Sequence, residues 1–278
     1  MFAFLSKFFL KNHIELFAPI PLSDCKLQRE YLLEREGIRS GTVFVLAIPY
    51  FTKACQASDR NVSCYAVAKD YHGFFKALYA ELLPLLRENF PNNRFAGFAD
   101  HSPVCEVDAA ARAGLGIIGK NHLLITENYS SFVFLGCLIT DEVLDCQAHE
   151  PKFCKNCGAC LKACPAAEPS DCLSALTQKK GELSEAERQT VVRYGSAWGC
   201  DICQLVCPHT VNAIKKKTIF SPIPYFSEDT LPHLTMEMLD EMSKEEFLSR
   251  AYSWRGKATV QRNLRLLEGN ERKGETGC

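Results

Sequence analysis

The chain has 278 residues, of which 47% are hydrophobic and 23% charged, and its formal net charge at pH 7 is -1. That balance fits a globular protein with a substantial core and excludes both an intrinsically disordered chain and a protein that coats nucleic acid through overall charge. No apolar run approaches the roughly 20 residues that a membrane-spanning helix needs.

Met1 to Leu10 is apolar but interrupted by Lys7, and no small-residue cleavage site follows. An amphipathic first helix with Phe2, Leu5 and Phe9 on one face is expected there, rather than an export signal. Thr42 to Ile48 is a continuous β-branched and aliphatic run closed by Pro49, the pattern of a strand buried on both faces. Val67 to Phe90 carries apolar residues at helical intervals, with Pro84 as an expected kink.

Asp100-His101-Ser102-Pro103 follows Phe95 and Phe98, so a carboxylate stands beside aromatic surface at a turn. An aspartate in water titrates near about 3.9, but desolvation raises it and makes it a usable proton donor. The alternative is a turn-former or helix cap acting with Ser102. Glu106 and Asp108 read equally well as surface groups. Asp108 to Ala113 predicts a helix stopped by Gly114-Leu115-Gly116. The string Gly114-x-Gly116-x-x-Gly119, followed by Lys120, matches a dinucleotide-binding pattern in letters only, because a helix precedes it and strand-like residues follow. These glycines read as a tight turn with close backbone approach. Leu123 to Thr126 and Phe132 to Thr140 predict two strands of a hairpin joined through Glu127 to Ser130, and the polar stretch Asp145 to Pro151 predicts a domain boundary.

The most specific signal comes next: Cys154-x2-Cys157-x2-Cys160-x3-Cys164-Pro165, then Cys172, then Cys200-x2-Cys203-x3-Cys207-Pro208. Thiolates at this spacing on a tight loop converge on one cubane while the cysteine before proline serves a second. Two [4Fe-4S] clusters are expected, the first held by Cys154, Cys157, Cys160 and Cys207, the second by Cys200, Cys203, Cys164 and Cys172. A single zinc would leave Cys160, Cys164 and Cys207 without a task, and disulfides require an oxidising compartment. Further on, helices are expected over Met236 to Tyr252 and Thr259 to Leu267, with a frayed tail from Asn270 to Cys278. Arg250, Arg255, Lys257, Arg262 and Arg265, interleaved with Tyr252 and Trp254, read either as a phosphate-binding face or as a solvated helix face, and Lys215 to Lys217 form a second basic patch.

Several strings together resemble the epoxyqueuosine reductases, cobalamin-dependent iron-sulfur enzymes similar in their core to reductive dehalogenases. They are Tyr65-Ala66, Asp70-Tyr71-His72, Asp100-x-Ser102-Pro103-Val104-x-Glu106, Ala113-Gly114-Leu115-Gly116-x-Ile118-Gly119-Lys120-Asn121, Phe134-Leu135-Gly136, Gly199-Cys200-Asp201-x-Cys203-Gln204-Leu205-Val206-Cys207-Pro208, and Arg262-Asn263. Val67, Ala68, Val107, Ile117 and His209-Thr210 depart from the family's usual residues. Phe75 stands where cobalt-ligating histidine motifs have glycine, so His72 is not expected to ligate cobalt.

The resemblance implies an α+β protein: an α/β corrinoid-binding domain over residues 1–148, a ferredoxin-like double-cluster domain over 149–212 and a C-terminal helical segment over 213–278. It implies two-electron reduction of epoxyqueuosine to queuosine in tRNA, with Asp100 as proton donor and Ser63, Lys120, Asp201 and Ile202 near the cobalamin. It further implies a cytoplasmic monomer fed by a ferredoxin or flavodoxin-type donor, without membrane association. The alternatives are a corrinoid and iron-sulfur reductase of another substrate, and a two-cluster electron carrier without cobalamin.

Overall fold

The computed structural model describes residues 1–166 and 172–275, with side chains as far as Gly269. The helices in chain order are α1 (Phe2–Lys11), α2 (Glu30–Glu36), α3 (Tyr71–Asn89), α4 (Glu106–Arg112), α5 (Ala159–Ala163) and α6 (Leu173–Gln178). They continue with α7 (Glu185–Tyr194), α8 (Ile202–Leu205), α9 (Pro208–Lys216), α10 (Met236–Glu241), α11 (Lys244–Leu248) and α12 (Lys257–Glu275). The strands are β1 (Phe17–Pro21), β2 (Thr42–Pro49), β3 (Phe95–Phe98), β4 (Ile117–Ile118), β5 (Leu124–Ile125) and β6 (Val133–Thr140). The protein is α+β. It divides into two compact units, each assembled from separated stretches: Met1–Tyr50, Tyr71–Gly158 and Pro208–Ile223 in the first, Phe51–Asp70, Ala159–Cys207 and Pro224–Cys278 in the second.

The first unit is organised by a sheet of order β1-β2-β6-β3, antiparallel at every pairing. All eight residues of β2 are buried, as its unbroken apolar run predicts, although the partners are antiparallel rather than parallel. Val43, Val45, Ala47, Cys137 and Ile139 form one face of the core together with Ala109 and Ala110 of α4. Each such branched side chain taken fully from water contributes about 1.5–3 kcal/mol.

The opposite face receives α3, which needs two glycines to lie close. A Cβ at Gly136 would overlap the Phe75 ring, and one at Gly97 would overlap the Tyr79 ring. Helix α3 runs through Pro84 to Asn89 without a break. In α1 the buried set is Leu5, Phe8 and Phe9, while Phe2 is 48% exposed and lies against Phe17 and Phe44.

The hairpin expected over residues 123–140 does not form. Strand β5 pairs with β4 in a separate two-stranded sheet, and β6 joins β2 and β3, leaving only an isolated bridge between Thr126 and Ser130. The long apolar run of β6 gains more from a two-sided place in the large sheet than from a two-residue partner. Helix α9 belongs to this unit, anchored by Thr210 Oγ1 to Ser130 Oγ at 2.7 Å and by Thr218 Oγ1 donating to Asn128 O at 3.0 Å.

In the second unit α6, α7 and α12 pack around Leu173, Leu176, Leu183 and Val191, with Leu266 and Leu267 closing the cluster. Asn263 of α12 donates to Thr177 O at 2.7 Å and to Ala197 O at 2.8 Å, so this buried amide fastens α12 to the ends of α6 and α7. The single helix expected from Met236 to Tyr252 is broken at Met242. Ser243 caps a new helix there, accepting from Glu246 N at 3.2 Å while Glu246 Oε2 accepts from Ser243 N at 2.8 Å. Helix α12 continues to Glu275, past the point where a frayed tail is expected; residues 276–278 lie outside the described residues.

Gly97→Ala is expected to lower the unfolding free energy by about 1–3 kcal/mol through overpacking against Tyr79, read as a lower urea midpoint with an unchanged slope.

Candidate functional site

Asp100 follows β3 at the end of the sheet. Its carboxyl is exposed and its backbone φ is +62°, a left-handed conformation that a non-glycine residue adopts only when its surroundings hold it there. His101 N–H donates to Ala99 O at 2.7 Å and Ser102 N–H to Asp100 O at 3.0 Å, which closes the turn. The segment before α2 braces it: Gln28 N–H donates to Pro103 O at 2.8 Å, Arg29 Nη1 to Ser102 O at 3.3 Å, and Tyr31 Oη lies 2.8 Å from His101 Nε2. Asp100 is thus a turn residue and does not cap α4, whose N-cap position is Cys105.

Beneath this turn lies a group that the sequence did not single out. Asp108 makes an ordinary ion pair with Arg112 at 2.8 Å, but the Glu106 carboxyl is turned inward and its Oε1 is sealed from solvent without a hydrogen-bond partner. Burial pushes its pKa up from 4.5 to about 8, and the Asp100 carboxylate adds to the rise, while the Asp100 backbone N–H and Arg29 oppose it. A signal was present: Glu106 precedes Ala109 and Ala110 by three and four residues, and both alanines are fully buried on α4.

The cysteines divide between the units. Cys154 and Cys157 lie in the first, Cys160, Cys164, Cys172, Cys200, Cys203 and Cys207 in the second. The loop carrying Cys154 is pinned to β4, with Ile118 N–H donating to Lys152 O at 2.8 Å and Cys154 N–H to Ile118 O at 3.0 Å. Lys120 contributes its backbone rather than its side chain, its N–H reaching Cys154 Sγ at 3.3 Å while the ammonium end is exposed. Left-handed conformations at Asn156 (φ +53°) and Gly158 (φ +75°) coil the chain between Cys154 and Cys160. In the second unit α5, which holds Cys160, packs against α8, which holds Cys203. Burial pushes the Cys200 thiol up to about 12, and the neighbouring Asp201, Cys203 and Cys172 add to it while a backbone hydrogen bond from Ile202 opposes it. Among the described residues the cysteines are free thiols, and no three His, Cys, Asp or Glu side chains are gathered around a point as a single ion would require.

Asp201 sits between Cys200 and Ile202 with a side chain only 1% exposed. Its carboxylate accepts from Ser63 Oγ at 2.5 Å, from Arg60 Nη1 at 2.7 Å and from Cys64 N–H at 2.8 Å. Ser63, Asp201 and Ile202, three of the four residues expected near a corrinoid, therefore come together, and with Cys200, Tyr194 and Leu173 they line a hollow of about 100 Å³. Lys120 is not among its lining residues.

Much of the basic stretch is structural. Arg250 is buried and pairs with Asp229 at 2.6 Å, Tyr252 is fully buried, and Arg262 donates to the carbonyls of Lys179 and Gly181, both at 2.6 Å. Trp254 remains 58% exposed with the Arg255 guanidinium 3.8 Å over its ring, and Lys215 to Lys217 are exposed at the end of α9.

Comparison with known proteins decides the family. The chain is 33% identical over 223 residues to an epoxyqueuosine reductase from Gloeobacter violaceus, an alignment covering 76% of this chain and 69% of that protein. This chain belongs to the epoxyqueuosine reductase family. Its members are oxidoreductases. A relative of the same name from Listeria monocytogenes is 36% identical over 207 residues, covering 71% of this chain and 54% of the relative, so the match spans about half that protein's length. No protein-family model matches. Among solved structures, the epoxyqueuosine reductase of Streptococcus thermophilus superimposes with a TM-score of 0.77 at 24% identity over 97% of this chain and 81% of that one. An epoxyqueuosine reductase in complex with an epoxyqueuosine-modified tRNA-Tyr stem loop gives 0.73 at 23% identity, over 96% and 81%. At such identities these two likenesses establish the fold. No described helix is long and apolar enough to cross a membrane.

Glu106 generates a prediction for stability. The unfolded chain ionises it near 4.5 and the folded chain near 8, so its contribution is complete below the lower value and is lost as pH rises to the upper one. The unfolding free energy of the wild type minus that of Glu106→Gln is expected to fall from pH 4.5 to pH 8 and to be flat on either side, as chemical denaturation at a series of pH values would measure.

Proposed function

We propose that this chain reduces epoxyqueuosine to queuosine in tRNA, with cobalamin and two [4Fe-4S] clusters as its cofactors. The supporting observation beyond family membership is the hollow just described, in which a cluster cysteine, Cys200, and the three expected corrinoid neighbours Ser63, Asp201 and Ile202 line one cavity.

The donor set suits four-iron clusters. Cubanes take four thiolates each and are tuned by hydrogen bonds to their sulfurs; eight thiols stand at the required spacing, and Cys154 Sγ already receives the Lys120 N–H. In this reading Cys154, Cys157, Cys160 and Cys207 hold the first cluster, and Cys164, Cys172, Cys200 and Cys203 the second. Residues 1–148 form the corrinoid-binding domain, 149–212 the ferredoxin-like domain and 213–278 a helical segment. The hollow takes an edge of the macrocycle rather than the whole. Ser63 Oγ retains lone pairs for a corrinoid amide, whereas the Asp201 carboxylate is already engaged by three donors. Bound there, cobalamin would supply low-valent metal chemistry toward the epoxide, and clusters held by the eight cysteines would supply electrons singly from a ferredoxin or flavodoxin-type donor.

The chain's own part is proton delivery and substrate binding. Removing an epoxide oxygen as water consumes two electrons and two protons. Without an acid the oxygen leaves as an alkoxide, and a positioned donor lowers that barrier by about 10²- to 10⁴-fold in rate. Asp100 is presented on its turn with an exposed carboxyl, not the desolvated one expected from the sequence, so in this reading the docked substrate supplies the desolvation that makes it an acid. For tRNA, Lys215 to Lys217 offer phosphate contacts, and the Trp254 ring with Arg255 offers a surface on which an unpaired base stacks. A cytoplasmic monomer suits this substrate.

Asp100→Asn is expected to reduce turnover of epoxyqueuosine-containing tRNA by about 10²- to 10⁴-fold, scored by queuosine mass, while iron content stays at the wild-type level. Anaerobic reconstitution should give about eight irons per chain and, after desalting, retained corrinoid absorption. Retention of iron without corrinoid would favour a two-cluster electron carrier.

A further inference from the structure

Of the groups that the proposed reaction leaves unused, Glu106 has the most constrained surroundings. Four groups face it, each from a different element. Tyr79 of α3 commits its hydroxyl to Phe98 O at 3.1 Å and Cys137 O at 3.0 Å. Cys137 of β6 is fully buried, and burial keeps it a neutral thiol. Arg29, ahead of α2, is engaged with Ser102 O at 3.3 Å, and Asp100 is itself an acid. Among the described residues no cation forms an ion pair with Glu106, and no protein donor reaches its Oε1, the Asp100 backbone N–H being the donor that the carboxyl does receive. An ionised carboxylate in this setting is costly, and a second negative charge beside Asp100 makes it more so. The turn above it holds Asp100 in a left-handed conformation, which persists only where the surroundings over-determine it.

We propose that Glu106 is a positioning residue for Asp100: held as the neutral acid beneath the left-handed turn, it keeps the Asp100 carboxyl presented, and loss of its proton releases the turn. The proposal rests on Asp100 being the reaction's acid only for its functional meaning; the coupling between proton and turn stands apart from turnover. Ionisation acts in two ways toward release, against the Asp100 backbone N–H, whose hydrogen bond to the Glu106 carboxyl favours the charged form. The buried charge is drawn toward water, and its repulsion of Asp100 pushes the loop outward. The bonds at stake are those from His101 N–H to Ala99 O and from Ser102 N–H to Asp100 O.

Hydrogen exchange of the reconstituted, anaerobic holoprotein tests this without an activity assay. After correction for the intrinsic pH dependence of exchange, opening of residues 99–106 should rise about tenfold per pH unit, about a hundredfold from pH 6 to pH 8, as expected when opening is linked to one proton. It should level off above about 8, the folded-state value. In Glu106→Gln, which preserves shape and neutrality, the rise should vanish. An unchanged rise in that variant, or no rise in the wild type, would overturn the proposal. Should Glu106→Gln fail to fold, Asp100→Asn provides the second arm: removing the neighbouring carboxylate should move the levelling point to lower pH, and an unmoved one counts against the coupling. If Asp100→Asn keeps full turnover while the exchange response persists, the acid assignment falls and the coupling survives.

Discussion

A single buried carboxylate organises the part of the second unit that encloses the hollow. Asp201 is flanked in sequence by Cys200 and Ile202, and in space by Arg60, Ser63 and the Cys64 amide. Its charge, 1% exposed, tolerates burial because three donors converge on it. The consequence is geometric: residues 60–64 are fastened to the loop bearing Cys200 and Cys203, and the hollow between these segments exists because neither can drift. Gly199, at φ +73°, sits so close to Ser63 and Tyr65 that a Cβ there would displace them, which shows how tightly the two segments meet.

In the first unit the corresponding constraint is steric. Two glycines in the sheet admit Phe75 and Tyr79 of α3, and this close approach lets the Tyr79 hydroxyl reach the carbonyls of Phe98 and Cys137. The last residue of β3 is thereby tied to the strand beside it, and the chain emerges from Phe98 into the Asp100 turn on a rigid base. A loop on a fixed scaffold is a common arrangement for a reactive side chain, because the scaffold bears the strain that the loop alone cannot hold.

How far the residues announced this arrangement depends on whether the deciding interaction is local. The β2 run and the α3 periodicity are local patterns, and each was readable. The fate of β6 was not, because hairpin length argues for pairing with residues 123–126 while the decision is taken by β2 and β3, far away in sequence. The basic stretch misled for a similar reason: Arg250 and Arg262 look like surface charge until Asp229 and the carbonyls at 179 and 181 are brought to them by folding. Asp100 was legible as a turn carboxylate beside aromatic residues, yet the buried partner beneath it was hidden because a glutamate near the start of a helix is ordinarily solvated.

The chain passes from one unit to the other after Tyr50, Asp70, Gly158, Cys207 and Ile223. On the ribosome, then, the sheet unit cannot be finished when β6 emerges, since α9, which ties Thr210 to Ser130, is synthesised only after Cys207 has appeared. Maturation is consequently ordered in time: every cysteine from Cys154 to Cys207 has emerged before the first-synthesised unit is complete, and a nascent chain stalled upstream of Pro208 would carry a sheet still lacking its closing helix.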